Sequence, residues 1–294
     1  MSISTFSANI SSTPQEIHQR AGLRTGGVLS TETDGNGGAN VAFPSLAVEG
    51  GKVIAKDHVE PGTRAAVILG FIVGLIGFAL GTLASYGIFL VVALLYPLSA
   101  WSQRRKATAL IHGSGIRVSE DQFPEIHRCV TELKERLNLR KDVQVNIVES
   151  KAINASAMSF GRRNVVLLTN ELIHGSLASG HPQSLAFVIG HELAHIALNH
   201  TAPLRSWMAR SSKKLRRMDE YSADSVATAL MGDRTIAFHG VLLLTVGHAL
   251  LPHVNLASII RQAQEVAADK YSKKAEKPLT HPLLLNRLQR ILKA

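Results

Sequence analysis

The longest apolar run in the chain extends from Ala65 to Gln103 and contains no charged residue and no histidine. It is about twice as long as the roughly 20 residues that one helix needs to cross a membrane. The stretch 82–87 is its least apolar part, which indicates a turn. We therefore expect a transmembrane helical hairpin within residues 61–106, with helices near 65–82 and 86–101. A single long tilted span is the alternative, and it would leave the two flanks on opposite sides of the membrane.

Helical spacing of apolar positions is interrupted by short extended segments over residues 107–294. The pattern predicts a helix that carries Phe123, Ile126 and Val130, a strand over 143–148, and a hairpin formed by 152–160 and 165–168. A second apolar segment, Ile236 to Leu251, is too short to span a membrane and contains two histidines, so we expect it to be a buried helix. The predicted fold class is α+β: a mostly helical domain with a small sheet, preceded by the membrane hairpin.

Residues 1–60 have a different composition, rich in Ser, Thr, Gly and Asn. No basic stretch followed by an apolar core opens the chain, which excludes a secretory signal peptide. We expect this segment to be largely disordered, with a short extended piece near 46–55.

The chain has a formal net charge of +10, with basic clusters at 104–106 and 213–217. Such clusters suit nucleic acid or an anionic membrane surface, and the neighbouring apolar run favours the membrane. No nucleic-acid recognition motif accompanies them, so no nucleic-acid partner is expected. Basic residues on both flanks of the hairpin place the flanks and the following domain in the cytoplasm. Cys129 is the single cysteine, and its apolar neighbours predict a core position.

The candidate chemistry begins with the stretch His191-Glu192-Leu193-Ala194-His195, which has the form HExxH. On a helix, positions four apart lie one turn above each other, so both imidazoles lie on the same face of the helix. Two imidazoles at this spacing can bind one Zn²⁺, with Glu192 as general base on the zinc-bound water. The surrounding apolar residues predict a buried helix, in which unpartnered polar side chains would be costly.

A catalytic zinc usually has three protein ligands, so a third ligand is required. His200 lies five residues beyond His195, which on a continuing helix points it away from the metal face. We therefore expect it to be a helix C-terminal residue with a structural role. Glu220 and Asp224 are four residues apart on a second apolar helix. We expect Glu220 to bind the metal and Asp224 to accept the free N–H of a ligating histidine. Asp219 is the alternative candidate for the third ligand, but it lies one residue away from the helix face that carries Glu220 and Asp224.

His191-Glu192-x-x-His195 together with Glu220-x-x-x-Asp224 resembles the membrane-bound zinc metalloproteases that include HtpX and the CAAX prenyl endopeptidases. The resemblance implies a zincin-type domain with one Zn²⁺ per chain. It also implies that Asn154-Ala155 opens an edge strand that pairs with a substrate backbone. Thr280-His281-Pro282, with Arg287 five residues after the proline, is similar to the family's cleft-lining element. His281 is then the expected oxyanion donor, and Arg287 is expected to help position substrate.

The resemblance predicts an integral membrane zinc metalloendopeptidase. Its expected partners are membrane lipid and polypeptide substrates, such as misfolded or unassembled membrane proteins in quality control. The many-helix chamber of the prenyl endopeptidases cannot be built from this chain, which argues against prenyl-peptide processing. The alternative function is a catalytically silent membrane-anchored scaffold that keeps the zinc site, and the intact Glu192 argues against it. The sequence makes no prediction of oligomeric state.

Overall fold

The computed structural model describes residues 43–160 and 163–293. Eleven helices and four strands follow one another in that part of the chain, together with 3₁₀ turns at Ala55–His58 and Leu251–His253. They are α1 Thr63–Ala84, α2 Ile88–Ser114, β1 Gly115–Arg117, α3 Pro124–Arg136, β2 Val143–Val148, β3 Ala155–Phe160, β4 Arg163–Thr169, α4 Asn170–Ala178, α5 Gln183–Ala197, α6 Pro203–Ser211, α7 Lys213–Met231, α8 Arg234–Val246, α9 Leu256–Ala268, α10 Ser272–Glu276 and α11 Leu284–Lys293. The predicted α+β class is confirmed.

The apolar run forms the helical hairpin α1–α2. The chain reverses at residues 85–87, where Tyr86 and Gly87 adopt positive φ angles of 49° and 85°. Among the described helices, α1 alone is long and apolar enough to cross a membrane by length and composition. Its large apolar side chains are exposed, as are those of α2 from Ile88 to Tyr96. Helix α2 continues 13 residues beyond the expected end at 101, to Ser114, so its second part belongs to the domain.

The small sheet has the strand order β1-β2-β4-β3. Strands β2 and β4 are parallel, whereas β1 and β3 each pair antiparallel with their neighbour. The predicted strand at 143–148 and the predicted hairpin are therefore both present. Strand β3 lies at one edge, and helix α5 packs against β3 and β4. Thr169 ends the sheet and begins α4, because its Oγ1 accepts the N–H of Leu172 at 3.2 Å.

Helix α5 is the centre of the core and packs against α3, α4, α7 and α8. Its side chains are buried on nearly all sides, as in Leu185, Phe187, Ile189, Leu193 and Ile196. Helix α8, which covers most of the apolar segment 236–251, also contributes buried side chains rather than a span. A helix buried all round has no solvent to hydrate its polar groups, so His191 and Glu192 need partners from neighbouring elements.

Residues 44–60, which include the short extended piece expected near 46–55, pack on the domain. Leu46 and Val48 are buried, and the backbone N–H of Val53 donates to the carbonyl of Arg136 at 2.9 Å. The Arg136 guanidinium in turn donates to the carbonyls of Val48 and Leu230. Four buried apolar residues in a polar stretch, Leu46, Val48, Val53 and Ala55, were too sparse a pattern to predict this docking. The remainder of the segment, residues 1–42, lies outside the described part of the chain.

Candidate metal centre

The two histidines of the HExxH stretch lie on one face of α5. Their Nε2 atoms are 3.1 Å apart. Helix α7 packs alongside α5 and brings Glu220 to the same point, with Oε2 at 3.6 Å from His191 Nε2 and Oε1 at 3.9 Å from His195 Nε2. Ligand atoms of these three side chains all lie within 4.8 Å of one another, and no other group of this kind occurs among the described residues.

This donor set fits a divalent metal such as zinc. With metal–ligand bonds of about 2.0–2.1 Å, the corners of a tetrahedral site lie about 3.3 Å apart. The two Nε2 atoms are 3.1 Å apart, and the distances of 3.6 and 3.9 Å from them to the two Glu220 oxygens are somewhat longer than that value. Two imidazole nitrogens and one carboxylate are also a ligand combination that zinc enzymes use.

The charges around the two histidines favour a cation. Burial opposes the charged form of His191, but the carboxylates of Asp224 and Glu220 outweigh burial and raise its pKa to about 10. Burial, with the neighbouring charge of His191, lowers the pKa of His195 to about 4. Burial opposes ionisation of Glu220, yet contacts with His191 and His281 keep its pKa well below the usual range. A pocket that stabilises a proton between these groups also stabilises a metal cation in its place.

Asp224 lies behind His191. Its Oδ1 is 3.0 Å from His191 Nδ1, the ring nitrogen that faces away from the cluster. Arg287 of α11 holds the same carboxylate with two hydrogen bonds of 2.7 Å, from Nε to Oδ2 and from Nη2 to Oδ1. Despite its burial, the Asp224 carboxyl has its pKa lowered to about 2, chiefly by Arg287. Arg287 was expected to position substrate, but in the structure it is largely buried and its guanidinium binds Asp224.

His195 has a support of its own that the sequence did not predict. Its Nδ1 is 3.0 Å from Nδ1 of His200, and His200 Nε2 is 3.3 Å from Oδ1 of Asp219. Arg205 of α6 donates to the same Asp219 oxygen. If His195 binds metal through Nε2, its Nδ1–H donates to His200, whose Nε2–H then points at Asp219. Burial lowers the pKa of His200 to about 2, which keeps its ring neutral and able to accept at Nδ1.

The local backbone explains why His200 reaches its neighbour. Asn199 adopts a left-handed conformation with φ 60°, which ends the helix, and the His200 N–H donates to the carbonyl of His195 at 2.9 Å. The imidazole is thereby turned back toward His195, although it does not join the metal face. An asparagine just after the periodic pattern is the sequence signal for such a helix end. Asp219, considered only as a competing ligand, lies on this second side of the site.

Glu192 lies between the two histidines and faces the sheet edge. It is buried, and the backbone of Ala157 in β3 is one of the groups that favour its ionised form. Burial raises its pKa to about 7, with partial compensation by His191. A carboxyl group with this pKa can both take and return a proton near neutral pH.

The β3 edge is open on the side of this carboxylate. Thr169 N donates to the carbonyl of Asn154 at 3.1 Å, so the even-numbered residues of β3 bond to β4. The backbone groups of Ala155, Ala157 and Ser159 therefore point away from β4. Asn154 itself is exposed and Ala155 is half-buried at the start of the strand.

His281 lies at the solvent side of the cluster. Its Nδ1 is 3.5 Å from Oε1 of Glu220, and 59% of its side chain is exposed. His281 therefore lies beside the three donor side chains, whereas Arg287 lies behind them. An exposed imidazole next to a buried carboxylate can donate a hydrogen bond toward a bound ligand.

Two protein-family models match the chain. The model of Peptidase family M48 matches residues 120–213, and the model of Peptidase U49 matches residues 181–294. The resemblance to the membrane-type metallopeptidases is confirmed. The M48 match contains the HExxH helix but ends before Glu220, whereas the U49 match includes both metal-site helices and Arg287. Both models describe peptidases, which supports protease activity on polypeptides. No solved structure matches the chain.

Proposed function

We propose that this metallopeptidase is a membrane-anchored, zinc-dependent endopeptidase. The observation that carries the proposal is the convergence of His191, His195 and Glu220 beside the buried carboxylate of Glu192. The second ring nitrogen of each histidine also has a polar neighbour, which is Asp224 for His191 and His200 for His195. Partners of this kind hold the ring orientation and tautomer that metal binding requires.

His191, His195 and Glu220 would hold the Zn²⁺, leaving a fourth position for water or substrate. Zinc in this setting lowers the pKa of a bound water and polarises a carbonyl group. Glu192 accepts the proton of the attacking water and later gives it to the leaving amine.

An extended peptide would bind along the open edge of β3. The outward N–H and C=O groups of Ala155 pair with the peptide backbone, as in other cases of strand addition. Asn154, exposed at the start of the edge, contacts the same peptide. His281 is suited to donate to the oxyanion that develops at the scissile carbonyl, because it is exposed and adjacent to Glu220. Backbone pairing of this kind favours unfolded or extended substrate segments over a particular sequence.

The membrane arrangement supports a polypeptide substrate at the bilayer. Helix α1 is long and apolar enough to span, and α2 returns the chain toward its starting side. The basic residues at Arg64 and at 104–106 support a cytoplasmic location for both hairpin ends and for the peptidase domain. We therefore infer a role in removing misfolded or unassembled membrane proteins.

The test is cleavage of casein by detergent-purified protein, with wild type and Glu192→Gln compared before and after chelator treatment. Bound zinc is measured in the same samples. We expect hydrolysis only by untreated wild type, with about equal zinc in both proteins. Hydrolysis by Glu192→Gln would contradict its assignment as the base. Full zinc occupancy in wild type without hydrolysis of casein or of unfolded membrane proteins would favour the scaffold alternative, and no zinc at all would refute the site.

A further inference from the structure

We propose that α6 is a lipid-immersed helix, with Leu204 and Trp207 inserted among acyl chains of the leaflet nearest the domain. The inference rests on the proposed membrane span of α1 and goes beyond it, because α6 belongs to the peptidase domain. Helix α6 follows the HExxH helix and precedes the Glu220 helix. Its position in the bilayer therefore sets the height of the metal site above the membrane.

The first observation is direct packing between α6 and α1. Trp207 lies against Gly74: a Cβ added to this glycine would be 3.8 Å from the indole ring. Met208 lies against Gly70, where an added Cβ would be 3.3 Å from the Met208 Cε. Both glycines belong to the apolar helix, and their missing side chains let α6 approach closely. The domain thus touches α1 along its side and not only at its end.

The position of these glycines along α1 gives the depth of the contact. They follow Thr63, the first residue of α1, by about 10 and 16 Å along the helix axis. The 22 residues of α1 extend about 33 Å, close to the roughly 30 Å of the hydrocarbon core. A spanning α1 therefore has Gly70 in the half of the bilayer nearer Thr63 and Gly74 close to the bilayer middle. Whatever packs on them from the side lies at lipid depth.

The second observation is the apolar face of α6 that the protein leaves uncovered. Met208 and Ala209 are buried, whereas Leu204 is 59% exposed and Trp207 is 48% exposed. The two exposed residues are three apart, on one side of the helix. This face adjoins the exposed apolar surface of α1, so it continues a surface that already meets lipid.

The third observation is the charge that follows α6. Met218 lies at the N-terminal end of α1, where a Cβ added to the N-cap residue Gly62 would be 3.5 Å from the Met218 Cε. Between the contacts made by Met208 and Met218 the chain carries three exposed cations, Arg210, Lys213 and Lys214. They lie in the chain between a deep and a shallow contact, and their long side chains can extend toward the headgroup layer. Basic groups that reach this layer attract anionic lipid.

The test uses the full chain, which contains two tryptophans, in bilayers of mixed zwitterionic and anionic phospholipid. The variant Trp101→Phe leaves Trp207 as the only tryptophan. We expect blue-shifted tryptophan emission, strong quenching by phospholipids brominated along the acyl chain, and iodide quenching several-fold below that of the denatured protein. Efficient iodide quenching without bromolipid quenching would overturn the proposal.

A reference variant separates this proposal from the proposed span. It combines Trp101→Phe, Trp207→Phe and Leu75→Trp, which places the fluorophore on the exposed face of α1. Bromolipid quenching of this variant but not of Trp207 would leave the span intact and refute the lipid contact of α6. Absence of quenching in both would refute the span and, with it, the lipid contact. Casein cleavage by the Trp101→Phe protein reports independently on the proposed peptidase activity.

Discussion

Arg287 binds Asp224 through two parallel hydrogen bonds of 2.7 Å, although the two residues are 63 positions apart in the chain. The pair joins the last helix of the domain to α7, one turn beyond Glu220. Since the same carboxylate lies 3.0 Å from His191 Nδ1, Arg287 would act on the proposed metal site by positioning Asp224 and not by touching a metal. His200 and Asp219 occupy the corresponding position behind His195.

Replacing Arg287 should weaken zinc binding without removing a ligand. Arg287→Gln leaves Asp224 buried without its partner, and we expect zinc affinity to fall about 10- to 100-fold, the range typical of such supporting residues. Arg287→Lys keeps the charge but loses the two-pronged geometry, so its loss should be smaller. The measurement is zinc competition against a chelating dye. Arg128→Gln, which removes an exposed pair with Glu125, is the matched control and should leave affinity unchanged. Equal affinities for Arg287→Gln and wild type would contradict the positioning role.

His200 and Asp219 should behave as one unit. His200→Ala removes the acceptor for His195 Nδ1–H, and Asp219→Asn removes the charge that fixes the His200 tautomer. We expect each to lower zinc affinity, and the double variant to cost less than the sum because the residues form one chain of contacts. His181→Ala, which removes a ring stacked on His239 elsewhere, is the histidine control. Strict additivity of the two substitutions would show that the chain does not act as a unit.

Zinc should stabilise the folded protein through Glu220. A ligand at 100 times its dissociation constant adds about 2.7 kcal/mol to the free energy of unfolding. Differential scanning calorimetry of the detergent-solubilised protein should therefore show a lower Tm after zinc removal. The Glu220→Ala protein should show no zinc-dependent shift, because one of its three ligands is missing. A full shift in Glu220→Ala would exclude this carboxylate as a ligand.

Ala155→Pro should weaken substrate binding and leave the fold intact. Proline is tolerated at the first residue of a strand, and the N–H that it removes points away from β4. The loss of one hydrogen bond, about 0.5–1.5 kcal/mol, corresponds to an approximately 2- to 10-fold lower kcat/KM for a peptide substrate. Ser156→Pro, which removes an N–H that bonds to β4, should instead lower the Tm. Unchanged kcat/KM in Ala155→Pro would contradict substrate pairing at this edge.

Gly240→Ala tests the packing beneath the metal site. A Cβ on Gly240 of α8 would lie 2.4 Å from Cδ1 of Phe187, which is buried one turn before His191. Overpacking of this kind typically costs about 1–3 kcal/mol, so thermal unfolding should occur at a lower temperature. Gly113→Ala in α2 is the control, since its Cβ would meet nothing within 4 Å. A Tm for Gly240→Ala equal to or above that of wild type would show that the contact relaxes freely.

Local patterns in the sequence determined the elements that depend on near neighbours. The alternation over 143–148 predicted β2 to the residue, and the apolar run predicted a helical hairpin that turns near residue 85. The HExxH spacing brought His191 and His195 together because a helix places residues four apart on one face. Buried apolar positions around Glu220 likewise indicated a second helix, which the structure brings beside the first.

Contacts between distant segments were decided only by tertiary structure. The contact of His200 with His195 depends on the left-handed backbone at Asn199. Arg287 approaches Asp224 only when α11 packs on α7. The docking of residues 44–55 and the seating of α6 on the glycines of α1 also depend on surfaces assembled from separate elements. A sequence pattern records which side of an element is apolar. It does not record which partner covers that side, because the partner is selected by packing of the whole chain.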